Sequence, residues 1–291
     1  MSISAFKVYD DLTGKSTVWS RFEFIGKGKY SRVYSFFNEH KVIACKIIKS
    51  GYHKEILIHE RLKHPNIVNL ITYSIQADYG IIGMELCQTT LLQKINPQNL
   101  KYSKLLPMKD CKNYLYQLNA ALKYLKKEKI VHCDIKPANI LLLKTSDINA
   151  VVKLADFGLS SFEGDILNSP KGTPNYMAPE IAEVCLAEVC LAEKPRKTVK
   201  ITYKFDTWAF GCVAYMLCIG VQPFLPEDGD LKTLCNRVVE AEYIIIDDIM
   251  RDIADHDEKK LSSLINSILI AVPKYRAEPE EIEKHDFFAN I

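Results

Sequence analysis

The stretch His132-Cys133-Asp134-Ile135-Lys136-Pro137-Ala138-Asn139-Ile140-Leu141 decides the fold, together with Asp156-Phe157-Gly158, whose aspartate lies 22 residues after the first one. Asp134, Lys136 and Asn139 place a proton acceptor, a cation that can bind phosphate and an oxygen ligand for a hard metal within six positions. Asp156 adds a second carboxylate, which supplies the charge that Mg²⁺ requires. The combination points to a site that binds phosphate and Mg²⁺.

A glycine turn precedes this stretch near the start of the chain. Gly26 and Gly28 lie between two strand-like runs, and Val33 follows five residues after Gly28. Glycines there let the backbone fold closely over phosphate oxygens, and Val33 can press on a purine ring. Ser31 stands where a third glycine is usual, and glycine turns also occur in ordinary hairpins, so the turn alone leaves both interpretations open.

Lys46 stands in a run of otherwise apolar, strand-like residues, Val42–Ile48. A buried ammonium needs a carboxylate partner, or it loses its charge. Glu55, on the helix that we predict next, is the obvious candidate. A surface lysine on an edge strand is the alternative that Lys46 by itself does not exclude.

Hydrophobic patterning divides the chain into a strand-rich first part and a mainly helical second part, with the change near residues 87–93. Alternating or β-branched runs predict strands, at Phe22–Ile25, Val33–Phe37, Val42–Ile48, Ile67–Tyr73 and Tyr79–Leu86. Apolar residues at helical spacing predict helices over Tyr52–Leu62 and Asp110–Lys127. A two-lobed α+β architecture is the simplest fold that fits this order.

With these motifs in order, the sequence resembles the eukaryotic protein kinase family, serine/threonine type. Later motifs agree: Gly172 to Glu180, Asp206 to Gly211, and Arg276, which in the family pairs with the glutamate matching Glu180. The resemblance implies a kinase domain over residues 19–291 after a short leader, 1–18. Its small sheet-containing lobe spans about 19–86, the hinge about 85–91 and the helical lobe about 92–291, with an insert near 182–204.

The resemblance also implies ATP and Mg²⁺ as cofactors, a protein as substrate, and a role for each matching residue. Lys46, held by Glu55, would orient the α- and β-phosphates, while Asp156 and Asn139 would bind Mg²⁺. Asp134 would accept or orient the proton of the substrate hydroxyl, and Lys136 would neutralise charge on the γ-phosphate. The expected nucleotide pocket has glycine-loop, apolar and hinge residues: Ile25, Gly26, Gly28, Val33, Ala44, Met84 as gatekeeper, Glu85, Cys87 and Leu141. His132 and Phe157 are expected to pack in the interior, without a catalytic role.

The sequence departs from the family pattern at Cys133, where relatives often carry an arginine that binds a phosphorylated activation loop. We therefore expect activity to depend little on phosphorylation at Ser169. Lys136 and Gly172-Thr173-Pro174 favour serine/threonine specificity, with dual specificity as an alternative. Because no phosphate, metal or acceptor residue is lost, an active kinase is favoured over a pseudokinase scaffold. A small-molecule kinase fits less well, since Gly172 to Glu180 matches a peptide-docking segment.

Composition bounds the remaining expectations. The chain has 291 residues, 48% of them hydrophobic and 25% charged, which is typical of a globular protein. A net charge of +2 gives no reason to expect nucleic-acid binding. Nine cysteines without paired spacing, and the absence of a signal-peptide pattern, favour an intracellular protein, cytoplasmic or nuclear. The longest apolar run, Phe210–Val221, is too short for a membrane span and predicts a buried helix. The sequence indicates no oligomeric state.

One local duplication falls in the predicted insert. The pentapeptide Ala-Glu-Val-Cys-Leu occurs at 182–186 and again at 187–191, and a basic run follows it. Two copies are too few for a repeat protein. The duplication either shapes substrate choice or is a neutral lengthening of a tolerant loop.

Overall fold

The computed structural model describes residues 3–9, 16–28, 31–95, 106–144, 150–189, 197–225, 229–243, 256–289 and 291. The chain divides into two compact units. The first unit comprises Met1–Thr89 and Leu141–Gly158, and the second comprises Thr90–Ile140 and Leu159–Ile291. The first contains the antiparallel sheet and the second most of the helices, so the predicted α+β class is confirmed.

The first unit is built on a six-stranded antiparallel sheet with the order β1-β2-β3-β4-β6-β5. Its strands are β1 (Ala5–Tyr9), β2 (Ser16–Lys27), β3 (Ser31–Phe37), β4 (Val42–Ile48), β5 (Leu70–Ile75) and β6 (Gly80–Glu85). Each of the strands β2 to β6 overlaps one of the five predicted runs, although β5 begins three residues later than predicted and β6 is one residue shorter at each end. The β-branched and aromatic residues of these runs suit a half-buried pleated surface. Because β4 lies between β3 and β6, it is an interior strand of the sheet.

The helix of the first unit, α1 (Tyr52–Arg61), follows a left-handed Gly51 and packs on the sheet. Tyr52 and Ile56 form one apolar cluster with Ile48 and Ile82. These residues recur on one helical face, which explains why the periodicity predicted a helix here. The same face carries Glu55 inward.

The N-terminus departs from the sequence prediction. Residues 1–18 were expected to be a polar, unpatterned leader rather than a domain, and within them Ala5–Tyr9 pairs with β2 as an edge strand. Phe6 is buried and makes an edge-to-face contact with Phe36, at 5.1 Å between ring centroids. The alternation of apolar residues in β1 is too short to stand out in a polar stretch, yet it suffices to cover the sheet.

A smaller sheet with the order β10-β9-β7 contains β7 (Thr89–Thr90), β9 (Ile140–Lys144) and β10 (Ala150–Leu154). The second unit holds two short antiparallel ladders: β8 (Ile130–Val131) with β11 (Ser161–Phe162), and β12 (Ile166–Leu167) with β13 (Val199–Lys200). Its helices are α2 (Leu91–Lys94), α3 (Met108–Lys127), α4 (Pro179–Val189), α5 (Lys204–Ile219), α6 (Leu231–Val239), α7 (His256–Ile268) and α8 (Pro279–Glu283).

Helix α5 is the central element of the second unit, and all but two of its sixteen residues are buried. It contains most of the predicted buried helix and ends at Gly220, whose φ of 87° provides a left-handed cap. Helices α3 and α7 pack against it. Among the described helices, none is both long enough and apolar enough to cross a bilayer.

The first copy of the duplicated pentapeptide, 182–186, lies within α4. The second copy begins in the same helix, and its last two residues, 190 and 191, belong to the stretch 190–196 that lies outside the described part of the chain. After that gap, Lys197 forms an ion pair with Glu183 at 2.6 Å. Part of the predicted insert is therefore an ordinary helix with an ion pair at its surface.

Candidate active site

Lys46 lies in β4, and two carboxylates of the first unit hold its ammonium. Nζ donates to Oε1 of Glu55 at 2.6 Å and to Oδ1 of Asp156 at 2.7 Å. The side chains of Lys46 and Glu55 are buried, whereas that of Asp156 is 47% exposed. Burial lowers the pKa of Lys46, but the two carboxylates outweigh it and hold that pKa above its ordinary value. The lysine is therefore a charged group inside the protein.

The local chain geometry explains how these three groups meet. Asp156 has a left-handed backbone, with φ of 68°, which a non-glycine residue adopts only where its surroundings enforce it. At Gly158, an added Cβ would lie 3.1 Å from a Glu55 carboxylate oxygen and 3.3 Å from Lys46 Nζ. Glycine at this position therefore leaves room for the ion pair.

Phe157, the residue that follows Asp156, packs against the ring of His59. Phe157 is 1% exposed, and its ring centroid lies 5.3 Å from that of His59. The His59 ring is itself bonded through Nε2 to the carbonyl oxygen of Val68 at 2.8 Å. Burial lowers the pKa of His59, which favours the neutral ring. Phe157 is thus a packing residue.

The residues predicted to surround a nucleotide all lie in the first unit. Strand register places Val33 opposite Lys46, Ala44 opposite Met84, and Gly26 opposite Val33. Ile25 is exposed at the end of β2, whereas the other apolar members are half-buried: Val33, Ala44, Met84 and Leu141. Gly28 is close to Ser31, since an added Cβ would lie 2.9 Å from the serine hydroxyl oxygen. Residues 29 and 30 of the turn fall outside the described part.

Glu85 and Cys87 lie where the hinge was predicted. The Glu85 carboxylate accepts a hydrogen bond from the Asn69 backbone N–H at 2.7 Å and pairs with Lys153 at 2.7 Å. The Glu85 side chain is thus bonded to other groups of the protein, so a ligand at the hinge would bond to the hinge backbone. Burial raises the pKa of Cys87 to about 12, so this thiol is not a reactive thiolate.

Asp134 is the centre of a second cluster, in the second unit. Its carboxylate is only 8% exposed, yet three side chains contact it. The Thr173 hydroxyl donates to Oδ1 at 2.8 Å, Lys136 Nζ lies 2.7 Å from Oδ2, and Asn139 Nδ2 donates to Oδ2 at 3.1 Å. Lys136 also donates to the Thr173 hydroxyl at 2.7 Å. The three contacts fix the orientation of the Asp134 carboxylate.

Asp206 supports the backbone that carries Asp134. It is buried in α5 and accepts hydrogen bonds from the N–H groups of His132 at 2.6 Å and Cys133 at 2.9 Å. Burial raises the pKa of Asp206, against the opposing effect of His132 and of those two N–H donors. Cys133 has a left-handed backbone, with φ of 65°, so the two bonds hold a conformation that is otherwise unfavourable. His132 is fully buried, as predicted for a packing residue.

Thr173 and Asp206 were not predicted as site residues. Thr173 reaches Asp134 because Gly172 has a φ of 95° and passes close to the backbone, where an added Cβ would lie 2.7 Å from the Cys133 carbonyl oxygen. In the sequence, Gly172-Thr173-Pro174 indicated serine/threonine specificity, but the hydrogen bond from Thr173 to Asp134 was not predicted. Asp206 belonged to a recognised motif, but nothing local in the sequence indicated its partners.

Each unit carries one of the two oxygen ligands that the resemblance assigns to Mg²⁺. The Asn139 amide nitrogen donates to the carbonyl oxygen of Asp134 at 2.8 Å as well as to its carboxylate, which directs the amide oxygen away from Asp134. Asp156 offers a half-exposed carboxylate. Amide and carboxylate oxygens are the ligands that Mg²⁺ prefers. Asp156 belongs to the first unit and Asn139 to the second.

The sequence is similar to known proteins whose family motifs include the residues of these two clusters. The protein kinase domain family matches residues 19–288. The probable serine/threonine-protein kinase PLK of Dictyostelium discoideum is 32% identical over 280 residues, which cover 91% of this chain and 26% of that protein. The serine/threonine-protein kinase polo of Drosophila melanogaster is 30% identical over 260 residues, 84% of this chain and 41% of that protein.

A third relative, the inactive serine/threonine-protein kinase PLK5 of Mus musculus, is 28% identical over 291 residues, which cover 95% of this chain and 44% of that protein. The chain thus spans less than half the length of each of these three relatives. The family match covers nearly the whole sequence, and both side-chain clusters carry the motifs of that family. The chain belongs to the protein kinase domain family.

Proposed function

We propose that this chain transfers the γ-phosphoryl group of Mg-ATP to serine and threonine hydroxyls of protein substrates. The observation that carries the proposal is the Asp134 carboxylate, which is nearly buried but held by Lys136, Asn139 and Thr173. A chain that had lost catalysis would have no need of an acceptor carboxylate fixed in this way. Phosphoryl transfer depends mainly on positioned groups and on electrostatic stabilisation, which is what this cluster offers.

The first unit would bind the nucleotide. Lys46 is charged and held by Glu55, so it can bind the α- and β-phosphates. The exposed part of the Asp156 carboxylate would be the Mg²⁺ ligand of this unit, and the amide oxygen of Asn139 is the ligand that the second unit offers. When bound there, Mg²⁺ would supply positive charge that stabilises the negative charge developing on the phosphates. Half-buried Val33, Ala44, Met84 and Leu141 would offer an apolar surface to the base.

The second unit would position the acceptor. Asp134 accepts the proton of the substrate hydroxyl while the hydroxyl oxygen bonds to the γ-phosphorus and the bond to the β-phosphate oxygen breaks. Lys136 stabilises the negative charge that develops on the transferred group. Thr173 keeps the carboxylate aligned, because its hydroxyl receives a hydrogen bond from Lys136 and donates one to Asp134.

The experiment is a transfer assay with the purified chain, labelled ATP, Mg²⁺ and a mixed peptide library. Lys46→Met and Asp134→Asn should abolish transfer, and Lys49→Met, at an exposed position three residues along the chain, serves as the matched control. Phosphoserine and phosphothreonine in the product support the proposal, and phosphotyrosine beside them would indicate dual specificity. Nucleotide binding without any transfer would contradict it and favour a scaffold.

We also propose that the protein is intracellular. The eight cysteines in the described part of the chain are outside disulfides, and seven of them are buried, which is typical of a reducing compartment. The test is fractionation of cells that produce the protein with a small tag. Recovery from cytosolic or nuclear fractions is the expected result, and recovery from the medium would contradict it.

A further inference from the structure

The activation segment, residues 159–180 of the second unit, pairs with a short strand that follows the predicted insert. In this pairing, Ile166 lies opposite Lys200 and Leu167 opposite Val199. Two further backbone bonds extend the ladder, because Gly164 N–H donates to the Ile201 carbonyl at 2.8 Å and Ile201 N–H donates to the Asp165 carbonyl at 2.8 Å. Four consecutive residues of the segment are therefore matched to residues 199–201.

The pairing has one fixed register because one side chain on each side of the extended ladder is buried. Leu167 is 2% exposed and Ile201 is 1% exposed, whereas the neighbouring Ile166 is 58% exposed. A slip by one residue would exchange the buried and exposed faces. The ladder is thus a specific contact within the second unit.

On either side of this ladder, a strand pairing and a side-chain contact hold the segment. Ser161 lies in β11, opposite Val131 of β8, and its hydroxyl accepts a hydrogen bond from Lys171 Nζ at 2.9 Å. Further along, the Thr173 hydroxyl donates to Asp134 at 2.8 Å. The loop from Ser161 to Thr173 is therefore fixed at both ends and in its middle.

The residue before the acceptor aspartate offers nothing to a phosphate. Cys133 is 7% exposed, and its thiol is directed at the Val131 carbonyl oxygen at 3.6 Å. A phosphoryl group gains most from charge-assisted bonds to a guanidinium, which this position lacks. Ser169, the candidate acceptor in the segment, is exposed.

We propose that β13 and Ile201 position the activation segment in the place of a phosphate–arginine contact. Ile201 is a positioning residue: its backbone holds residues 164 and 165, and through them it helps to keep Thr173 at Asp134. The segment is then ordered without phosphorylation. This inference rests on the proposed kinase activity for its consequence on rate, although the order of the segment can be measured separately.

The test compares Ile201→Pro with Ile201→Val in the full chain after phosphatase treatment. Both variants shorten the buried side chain, but only proline removes the N–H that donates to Asp165. We expect Ile201→Pro to accelerate amide hydrogen exchange over residues 162–173 and to lower kcat about tenfold or more, as loss of positioning does. The KM for ATP should stay unchanged, and Ile201→Val should behave like the unaltered chain in all three measurements.

Two results would overturn the proposal. One is loss of activity of the unaltered chain on phosphatase treatment, and the other is equal exchange and equal kcat for the two Ile201 variants. If the unaltered chain transfers no phosphate, the proposed function fails. The exchange measurement still decides whether β13 and Ile201 order the activation segment. If Ile201→Pro does not fold, the two Ile201 variants are replaced by Leu167→Ala, at a buried position, and Ile166→Ala, at an exposed position, as its control. Equal hydrogen exchange in Leu167→Ala and Ile166→Ala also overturns the proposal.

Discussion

Arg276 and Glu180, 96 residues apart in sequence, form a bidentate ion pair inside the second unit. Nη1 and Nη2 of the arginine donate to the two carboxylate oxygens at 2.7 and 2.6 Å. The remaining donors of the guanidinium reach backbone carbonyls of Ile270, Lys204 and Ala271. Because every donor direction is used, this buried charge is compensated fully, and the pair fixes the start of α4 to the chain before α8.

Removing the arginine should therefore destabilise the second unit strongly. Arg276→Met leaves Glu180 without its cation and removes one donor from each of three backbone carbonyls, and we expect a loss of about 3–5 kcal/mol in the free energy of unfolding. Arg276→Lys should recover only part of it, because an ammonium cannot reproduce the planar fork. Urea denaturation measures both, with the exposed Lys274→Met as control. A loss for Arg276→Met no larger than that of the control would contradict this account.

The Lys46–Glu55 pair allows stability to be separated from activity. Lys46→Met leaves a buried carboxylate uncompensated, for which we expect a loss of about 3–5 kcal/mol. Adding Glu55→Leu removes that carboxylate, so the double variant should regain most of the stability but no phosphotransfer. Thermal denaturation and the transfer assay measure the two quantities. Recovery of transfer in the double variant would show that Lys46 acts only through folding.

Acid should weaken the second unit through Glu278. Burial raises the pKa of its carboxyl, but hydrogen bonds from Lys204, Tyr203 and Lys126 outweigh this and lower the pKa to about 2. Since an unfolded glutamate titrates near about 4.3, the bonds stabilise the fold above that pH, and this contribution is lost as the pH falls towards 2. Glu278→Gln should therefore cost more stability at pH 7 than at pH 3.5.

Urea midpoints at the two pH values measure this difference. Glu60→Gln, at an exposed position of the first unit, is the control, and its effect should be small at both. A penalty for Glu278→Gln that is equal at pH 7 and pH 3.5 would mean that the charge of Glu278 contributes nothing to stability.

Patterns within one element were predicted well from the sequence, and contacts between distant elements were not. Helix α1 and its inward Glu55 follow from helical spacing after a glycine, and a buried lysine in β4 then requires that carboxylate. Thr173, in contrast, reaches Asp134 across 39 positions, and only the left-handed Gly172 allows it. The ladder of β12 with β13 has two residues in each strand, which is too few for any alternation to appear.

The contribution of the N-terminal strand can be tested at Phe6. This ring is 7% exposed and lies against Phe36, which is fully buried, so Phe6→Ala opens a cavity over the first sheet. Such truncations cost about 3–5 kcal/mol in a closed core, and we expect the lower end because β1 is an edge strand. Lys7→Ala, on the exposed face of the same strand, is the matched control. Thermal denaturation should show a lower midpoint only for Phe6→Ala. Equal midpoints would mean that β1 adds nothing to the stability of the sheet and that residues 1–18 act as a leader after all.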